Sequence, residues 1–524
     1  MPCARPIGSG VPRFRTCWDL AAVHRLLAGG WRDDPARVWA LARGLPTDRI
    51  PRAGQLDLLD IANGRADDDG DPAEPVRPDG HLRPDWAGGS WRLDLTRAKR
   101  WARLALVAHA GQERLVATTS SVGDIALTAR SESAAAVMAV ELRADGLPID
   151  RVAAEELLTR LIGPRPADES EARRARAERD NRVLRLVPAG ASDTDLRNPA
   201  QVRRMLMHAG IEVPDTRSWR LERLSSSHAV IPALLAWRKT ERIATTYGYD
   251  WLDRHVGADG RLRGAWTASD GGAGRMTAQL GLHNLPAEMR VAVAAEPGHL
   301  LVRADLGQVE PRVLAAVSGD RALAAAALED DLYLPVAARI GCTRDVAKVA
   351  VLAAMYGQTS GAAGQALAGM QASYPVAISY LDAADTAGRS GRDIRTYGGR
   401  LVSAGRVTPP VQGASDAAEA AHRSAVAGRG RYLRNAAVQG AAAELFKAWA
   451  ATVRSELRES GAGAVVLCLH DELLLHVRTG RAQLVADSLR PALERTAARW
   501  FRSAPPVRFV VSVAVVPRWS DAKG

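Results

Sequence analysis

A chain of 524 residues, 47% hydrophobic and 25% charged, has material for roughly two to four folded units and is neither fibrous nor disordered as a whole. No apolar run approaches the roughly 18 residues of a membrane helix, the amino terminus has no secretory core, and Cys3, Cys17, Cys342 and Cys468 form no Cys-x-x-Cys pair, which argues against a cysteine zinc site or a disulfide framework. Lys plus Arg exceed Asp plus Glu by 70 to 59, a net charge of +11 that suits a polyanionic partner, and nearly all of it is arginine, so Lys99, Lys239, Lys348, Lys447 and Lys523 stand out.

Residues 1–130 carry Trp and Arg among aliphatics, with helical periodicity over Leu20–Leu41 and Thr96–Ala110. An acidic run at Asp67, Asp68, Asp69 and Asp71 opens a Pro/Gly-rich loop that extends to about Gly89. The region reads as a separate small domain without a catalytic constellation. From Ser133 the pattern predicts a helix, a turn at Asp145-Gly146 and a second helix from Arg151, and Asp168–Arg182 reads as a solvated helix. Helical segments follow at Gln201–Ala209, Val230–Leu235 and Ala236–Val256. Arg238, Lys239, Arg242 and Arg254 on the last suit either a rod along a phosphate backbone or a plain exposed face.

Gly264–Pro286 is a Gly-rich loop, and His299–Asp305 is an apolar strand ending in a carboxylate. Gln308-Val309-Glu310-Pro311 then begins a helix, since proline is tolerated in a first turn. Residues 344–356 contain no Gly or Pro and predict a helix on which Arg344, Lys348, Leu352 and Tyr356, at steps of four, share one broad face. Two cations, an apolar side chain and a phenol in that order make a socket for a triphosphate, a base and a sugar. Near the carboxyl end, Val465–Leu469 and Leu473–Val477 flank His470-Asp471-Glu472, a predicted tight hairpin. Carboxylates side by side in apolar surroundings raise one another's pKa unless a cation joins them. On its own the hairpin fits a solvated turn as well as a metal site; Asp305, at a second strand end, favours the metal.

Three of these stretches, Asp305-Leu-Gly-Gln-Val-Glu310-Pro-Arg312, Arg344-x3-Lys348-x7-Tyr356-Gly357 and His470-Asp471-Glu472, resemble in order motifs A, B and C of the family A DNA polymerases. Arg431–Lys447 resembles the template-side helix of that family, Gly274-Arg275 with Asn284-Leu285-Pro286 its primer–template loop, and Trp519–Lys523 its chain end. The resemblance covers roughly 133–524. It implies an α/β (α+β) right-hand fold: thumb at about 165–260, palm at 261–320 and 431–524, fingers at 321–430, behind a small exonuclease-like α/β domain at 1–130. The implied activity is template-directed addition of dNTPs to a primer 3′-hydroxyl by a monomeric, cytoplasmic, nucleoid-associated enzyme.

In that family Asp305 and Asp471 would hold two Mg²⁺ ions, replaceable by Mn²⁺, with Glu472 as a supporting carboxylate. Arg344 and Lys348 would contact the triphosphate, with Lys348 counted among the catalytic groups. Gln308, Tyr333, Leu352 and Tyr356 would line the nucleotide, and Glu310 would crowd the ribose 2′ position. Arg275, Asn284, Arg431, Asn435, Gln439 and His470 would contact primer and template. Three departures bear on efficiency and fidelity: Leu352 replaces a stacking aromatic, Tyr333 replaces a histidine, and Leu306-Gly307 replaces Tyr-Ser. A 3′–5′ exonuclease needs an Asp-x-Glu strand and a later Tyr-x3-Asp. The first tyrosine is Tyr247 and Asn63-x3-Asp67 is only a faint middle motif, so the expectation is a silent domain without proofreading. Glu310 disfavours an RNA-synthesising alternative, and retention of Asp305, Lys348 and Asp471 disfavours a retired DNA-binding module.

Overall fold

The strand and the hairpin predicted from the two acidic stretches fall in one sheet. The structure, a computed structural model, describes residues 14–51, 71, 73–357, 362–411 and 415–522; the Asn63/Asp67 motif, Cys3 and Lys523 lie outside them. Strands β1 (His299–Gly307), β2 (Gly463–Leu469), β3 (Glu472–Arg478) and β4 (Val510–Val516) are antiparallel in the order β4-β1-β3-β2. Side chains alternate between two cores, as a period of two requires when both faces are covered. Val302, Ala304, Leu473 and Leu475 enter the larger core; Leu301 and Leu474 enter a second one with Tyr247, Met289 and Trp519. Register places Asp305 opposite Glu472 and Leu469 opposite Glu472, which leaves His470 and Asp471 as a two-residue turn. His470 has φ 50°, the left-handed conformation such turns favour.

The predicted helix at 20–41 is two helices, α1 (Leu20–Ala28) and α2 (Pro35–Arg43). Gly29 and Gly30 both take positive φ between them, and the Asp34 side chain caps α2 by accepting from the Arg37 amide. Helix α3 (Leu95–Thr118) runs past the expected Ala110, and α4 (Ile125–Asp145) is capped by Asp124. Among the described residues before Leu147 every regular element is helical apart from one isolated bridge, Val76–Leu82. The expected boundary at residue 130 falls inside α4, which packs on both α1 and the long helix at 416–460.

Helix α5 (Arg151–Ile162) follows the Gly146 turn as predicted. Helices α6 (Glu169–Leu184), α7 (Pro199–His208) and α8 (Val230–Thr246) enclose a small core with Val183, Leu206, Ile231, Leu234 and Trp237. The two segments expected at 230–235 and 236–256 are thus one helix to Thr246 and a short one at Tyr249–His255. The basic residues of α8 are engaged: Lys239 pairs with Glu288, Arg238 donates to the Thr216 carbonyl and Arg242 donates to the Asn284 carbonyl at 2.7 Å.

After β1 come α9 (Val309–Ser318), α10 (Tyr333–Ile340), α11 (Arg344–Tyr356) and α12 (Pro375–Arg389). Helix α11 has the predicted bounds, set by the Thr343 cap and by Gly357 at φ 67°. Helix α13 (Asp416–Ser460) is 45 residues long and contains the predicted 431–447 segment, and α14 (Ala482–Trp500) precedes β4. A buried ionic cluster ties α4 to α13. Glu132 forms ion pairs with Arg400, at 2.6 Å, and with Lys447, and Lys447 also donates to the Ala268 carbonyl at 3.3 Å. No described helix is long and apolar enough to cross a membrane.

Candidate active site

The hairpin tip, the turn after β1, the start of α9 and one face of α11 converge on a cleft of about 270 Å³. Its walls include Arg275, Gln308, Glu310, Tyr333, Leu352, Tyr356, Gln439, His470 and Asp471. Asp305 sits on the strand beside the tip, where the Leu306 amide donates to the Asp471 carbonyl at 3.0 Å. Arg303, two residues earlier on the same face, donates to Asp305 at 3.0 Å and to Glu472 at 2.9 Å. Trp519 Nε1 adds a 2.6 Å bond to Glu472, so that carboxylate is held by two donors within the protein.

Asp471, in contrast, has no ion pair among the described residues. Burial, with Glu310 and Glu472 adding to it, pushes its carboxyl above the usual range. Burial and then the Asp471 charge push Asp305 up to about 6, against the pull of Arg303. Two desolvated acids, each raised by burial and by neighbouring carboxylates, make a donor set suited to a hard divalent cation.

Glu310 forms the opposite wall. It accepts from Arg275 at 2.5 Å and from the Tyr356 hydroxyl at 3.4 Å. Burial raises the Tyr356 phenol, and the nearby Glu310 charge raises it further. With its amide oxygen turned toward Arg275, Gln439 accepts from both guanidinium nitrogens at 2.9 and 3.1 Å and from Asn435 at 3.3 Å. Gln308, at φ 53° between β1 and α9, accepts from the Leu332 amide at 2.9 Å and from Arg312 at 3.1 Å. Its amide nitrogen donates to Asp331 at 2.7 Å, and Asp331 accepts from Arg344 at 2.5 Å. The Arg344 guanidinium lies 5.7 Å from the Tyr333 ring centre.

The predicted face of α11 is therefore real but graded. Leu352 and Tyr356 line the cleft, whereas Arg344 and Lys348 are exposed beyond its walls toward the other end of the helix. Asn284 and Arg431 are exposed and outside the cleft; the Asn284 carbonyl is taken by Arg242 and, at 3.0 Å, by the Tyr247 hydroxyl. Arg303, Asp331 and the Trp519 indole are site residues that sequence reasoning missed. Arg303 could have been found from its i, i+2 relation to Asp305. Asp331, in an acidic turn, and Trp519, known only as part of the chain end, gave no such signal.

A pH dependence follows for the metal-free protein. Because the folded Asp305 carboxyl titrates near 6 and an unfolded aspartate near its ordinary 3.8, the folded state binds the extra proton between those values. The stabilisation that proton provides is complete below about pH 4 and is lost as pH rises through 6. Unfolding in chelator at pH 4.5 and 6.5 is expected to show this loss, and Asp305→Asn to flatten that component.

A four-stranded sheet bearing these acids, flanked by a helical unit on each side, is the right-hand architecture of polymerases. Residues 170–521 match the family model described as DNA polymerase family A, and the chain belongs to that family. It is 28% identical over 330 residues to DNA polymerase I of Chloroflexus aurantiacus, covering 57% of this chain and 33% of that protein. The thermostable DNA polymerase I of Thermus thermophilus is 28% identical over 333 residues, covering 58% and 38%, and that of Pseudomonas aeruginosa is 27% identical over 342 residues, covering 59% and 35%. The chain thus matches little more than a third of these relatives' length. The POL domain of Pol1 from M. smegmatis, solved in complex with DNA primer-template and dNTP, superimposes with a TM-score of 0.66 at 20% identity, over 96% of this chain and 82% of that one, which establishes the shared fold.

Proposed function

We propose that the protein is a DNA-directed DNA polymerase that adds dNTPs to a primer 3′-hydroxyl. The observation that carries this reading is the register that pairs Asp305 with Glu472 and so sets it beside Asp471, which lines a cleft with Leu352 and Tyr356 of α11. Divalent cations, Mg²⁺ with Mn²⁺ as a substitute, would be held by Asp305 and Asp471 and when bound would activate the primer hydroxyl and neutralise the triphosphate. The protein's own groups do the rest. Arg344 and Lys348 steady the triphosphate and the charge that develops on the leaving pyrophosphate. Leu352 gives the base an apolar contact without aromatic stacking, and Tyr356 closes the sugar side. Arg275, Gln439 and His470 face the primer–template, with Asn284, Arg431 and Asn435 further along the track. In this reading 165–260 is the thumb, 261–320 with 431–524 the palm and 321–430 the fingers, and the enzyme works as a cytoplasmic monomer.

Primer extension with dNTPs and, in parallel, rNTPs tests the proposal. Efficient dNTP extension with weak rNTP use is expected. Tight primer–template binding without extension would replace the proposal with a binding module, and equal rNTP use with an RNA-synthesising enzyme. Glu310, fixed by Arg275 and Tyr356, is a rigid carboxylate where a 2′-hydroxyl would arrive. Glu310→Ala is therefore expected to reduce dNTP-over-rNTP discrimination by about tenfold to a hundredfold, the range one modest steric difference supports, as read by kcat/KM for the two substrates.

A further inference from the structure

At the end of β1 remote from Asp305, about 20 Å away along six residues of strand, lies a cluster that the proposed chemistry does not use. Glu296, His299 and His476 each direct one donor atom into a common space, all within 4.8 Å of one another. We propose that these three residues bind one divalent transition-metal ion, Zn²⁺ foremost, as a structural clamp on the sheet. Two imidazoles and a carboxylate form a recurrent zinc donor set, different in kind from the cysteine sites that the sequence excludes.

Each ligand is already oriented by a neighbour. Arg261 donates to one Glu296 oxygen at 2.7 Å and leaves the other, which lies 3.8 Å from His476 Nε2. His299 places Nδ1 3.3 Å from the Pro297 carbonyl; with that nitrogen as the donor, Nε2 carries the free lone pair. The His299 and His476 rings stack at 4.3 Å with planes 14° apart. Tetrahedral zinc, with ligands at about 2.0–2.1 Å, needs donors about 3.3 Å apart, so closure requires at most about 1.5 Å of side-chain movement. Glu296 and His299 are half-buried, which gives an entry path and room for a water in the fourth position. The ion would fasten the segment before β1 to β3, joining parts of the sheet about 180 residues apart in sequence; where His476 ligates through Nε2, it replaces the hydrogen bond that this nitrogen accepts from the Glu296 amide at 3.2 Å.

The test is Zn²⁺ titration of the full chain by competition with a chromophoric chelator. It is run in an Asp305→Asn/Asp471→Asn background, so that the carboxylates of the cleft do not contribute. One equivalent is expected, with a rise in the unfolding midpoint. His299→Gln and Glu296→Gln, both at half-buried positions, are expected to weaken binding by about a hundredfold or more, since even groups behind a metal ligand are worth up to that much. Co²⁺ in place of Zn²⁺ is expected to give a visible absorption band that His299→Gln abolishes. Failure of the parent to bind one equivalent, or equal affinity in parent and His299→Gln, would overturn the site. Neither outcome touches the polymerase reading, which primer extension tests separately.

Discussion

Asp471→Asn is expected to lower the rate of primer extension by about a thousandfold or more, equivalent to about 4 kcal/mol of barrier, without loss of fold or of primer–template affinity. The substitution keeps the shape of the hairpin tip and removes only charge. Asp471 has no internal cation partner among the described residues, so nothing in the protein is left unpaired when it becomes neutral, and its own burial cost falls. Removing a negative charge from the path of a polyanion leaves DNA binding equal or tighter. Asp305→Asn is expected to do the same to the rate, although Arg303 then loses one of its two carboxylates. Glu472→Gln separates the roles. Glu472 is occupied by Arg303 and Trp519, so its amide variant is expected to lose stability more than rate. Single-turnover extension beside chemical unfolding of all three variants is the measurement, and an Asp471→Asn rate within tenfold of the parent would remove Asp471 from the reaction.

This contrast also marks what could be read from the sequence. The hairpin, β1 and α11 were legible because short-range rules define them: apolar runs of strand length, an acidic break, and a helix with an unbroken interior ended by Gly357. The Arg303 and Trp519 donors that occupy Glu472 were not legible, because Trp519 reaches Glu472 only through tertiary folding. The grading of α11, with Leu352 and Tyr356 inside the cleft and Arg344 tied to Asp331, depends on where α10 and the acidic turn pack. In the amino-terminal region, position relative to the motifs suggested an exonuclease-like sheet, while the local signals, Asp caps at Asp19, Asp34, Asp94 and Asp124, precede the helices of the described residues.

Helix α4 is tied to α13 by the buried cluster around Glu132 and by the Glu141–Arg454 pair, and loss of the Glu132 cluster is expected to have a large effect on stability. Glu132, Arg400 and Lys447 are each at most 1% exposed. Burial would raise the Glu132 carboxyl, yet Arg400 and Lys447 outweigh it and hold it below its ordinary value. Burial lowers Lys447 to about 8 in spite of the same ion pair. Glu444, alongside, cannot stand in as counter-ion: burial raises its pKa, and its oxygens are committed to Thr396 and, at 2.9 Å, to the Gly398 amide. Glu132→Ala therefore strands a buried guanidinium that cannot shed its charge, and is expected to cost about 3–5 kcal/mol in denaturant unfolding. Glu132→Gln keeps an acceptor and is expected to cost less. Replacing Glu132, Arg400 and Lys447 together by apolar residues of similar volume is expected to recover most of the loss, because the penalty arises from unpaired charge rather than from the missing bond. Since α4 carries both Glu132 and the seat for α1, the alanine variant should also expose the amino-terminal helices to limited proteolysis before the sheet opens. Retention of full protease resistance together with parental stability would mean that the cluster carries no net load.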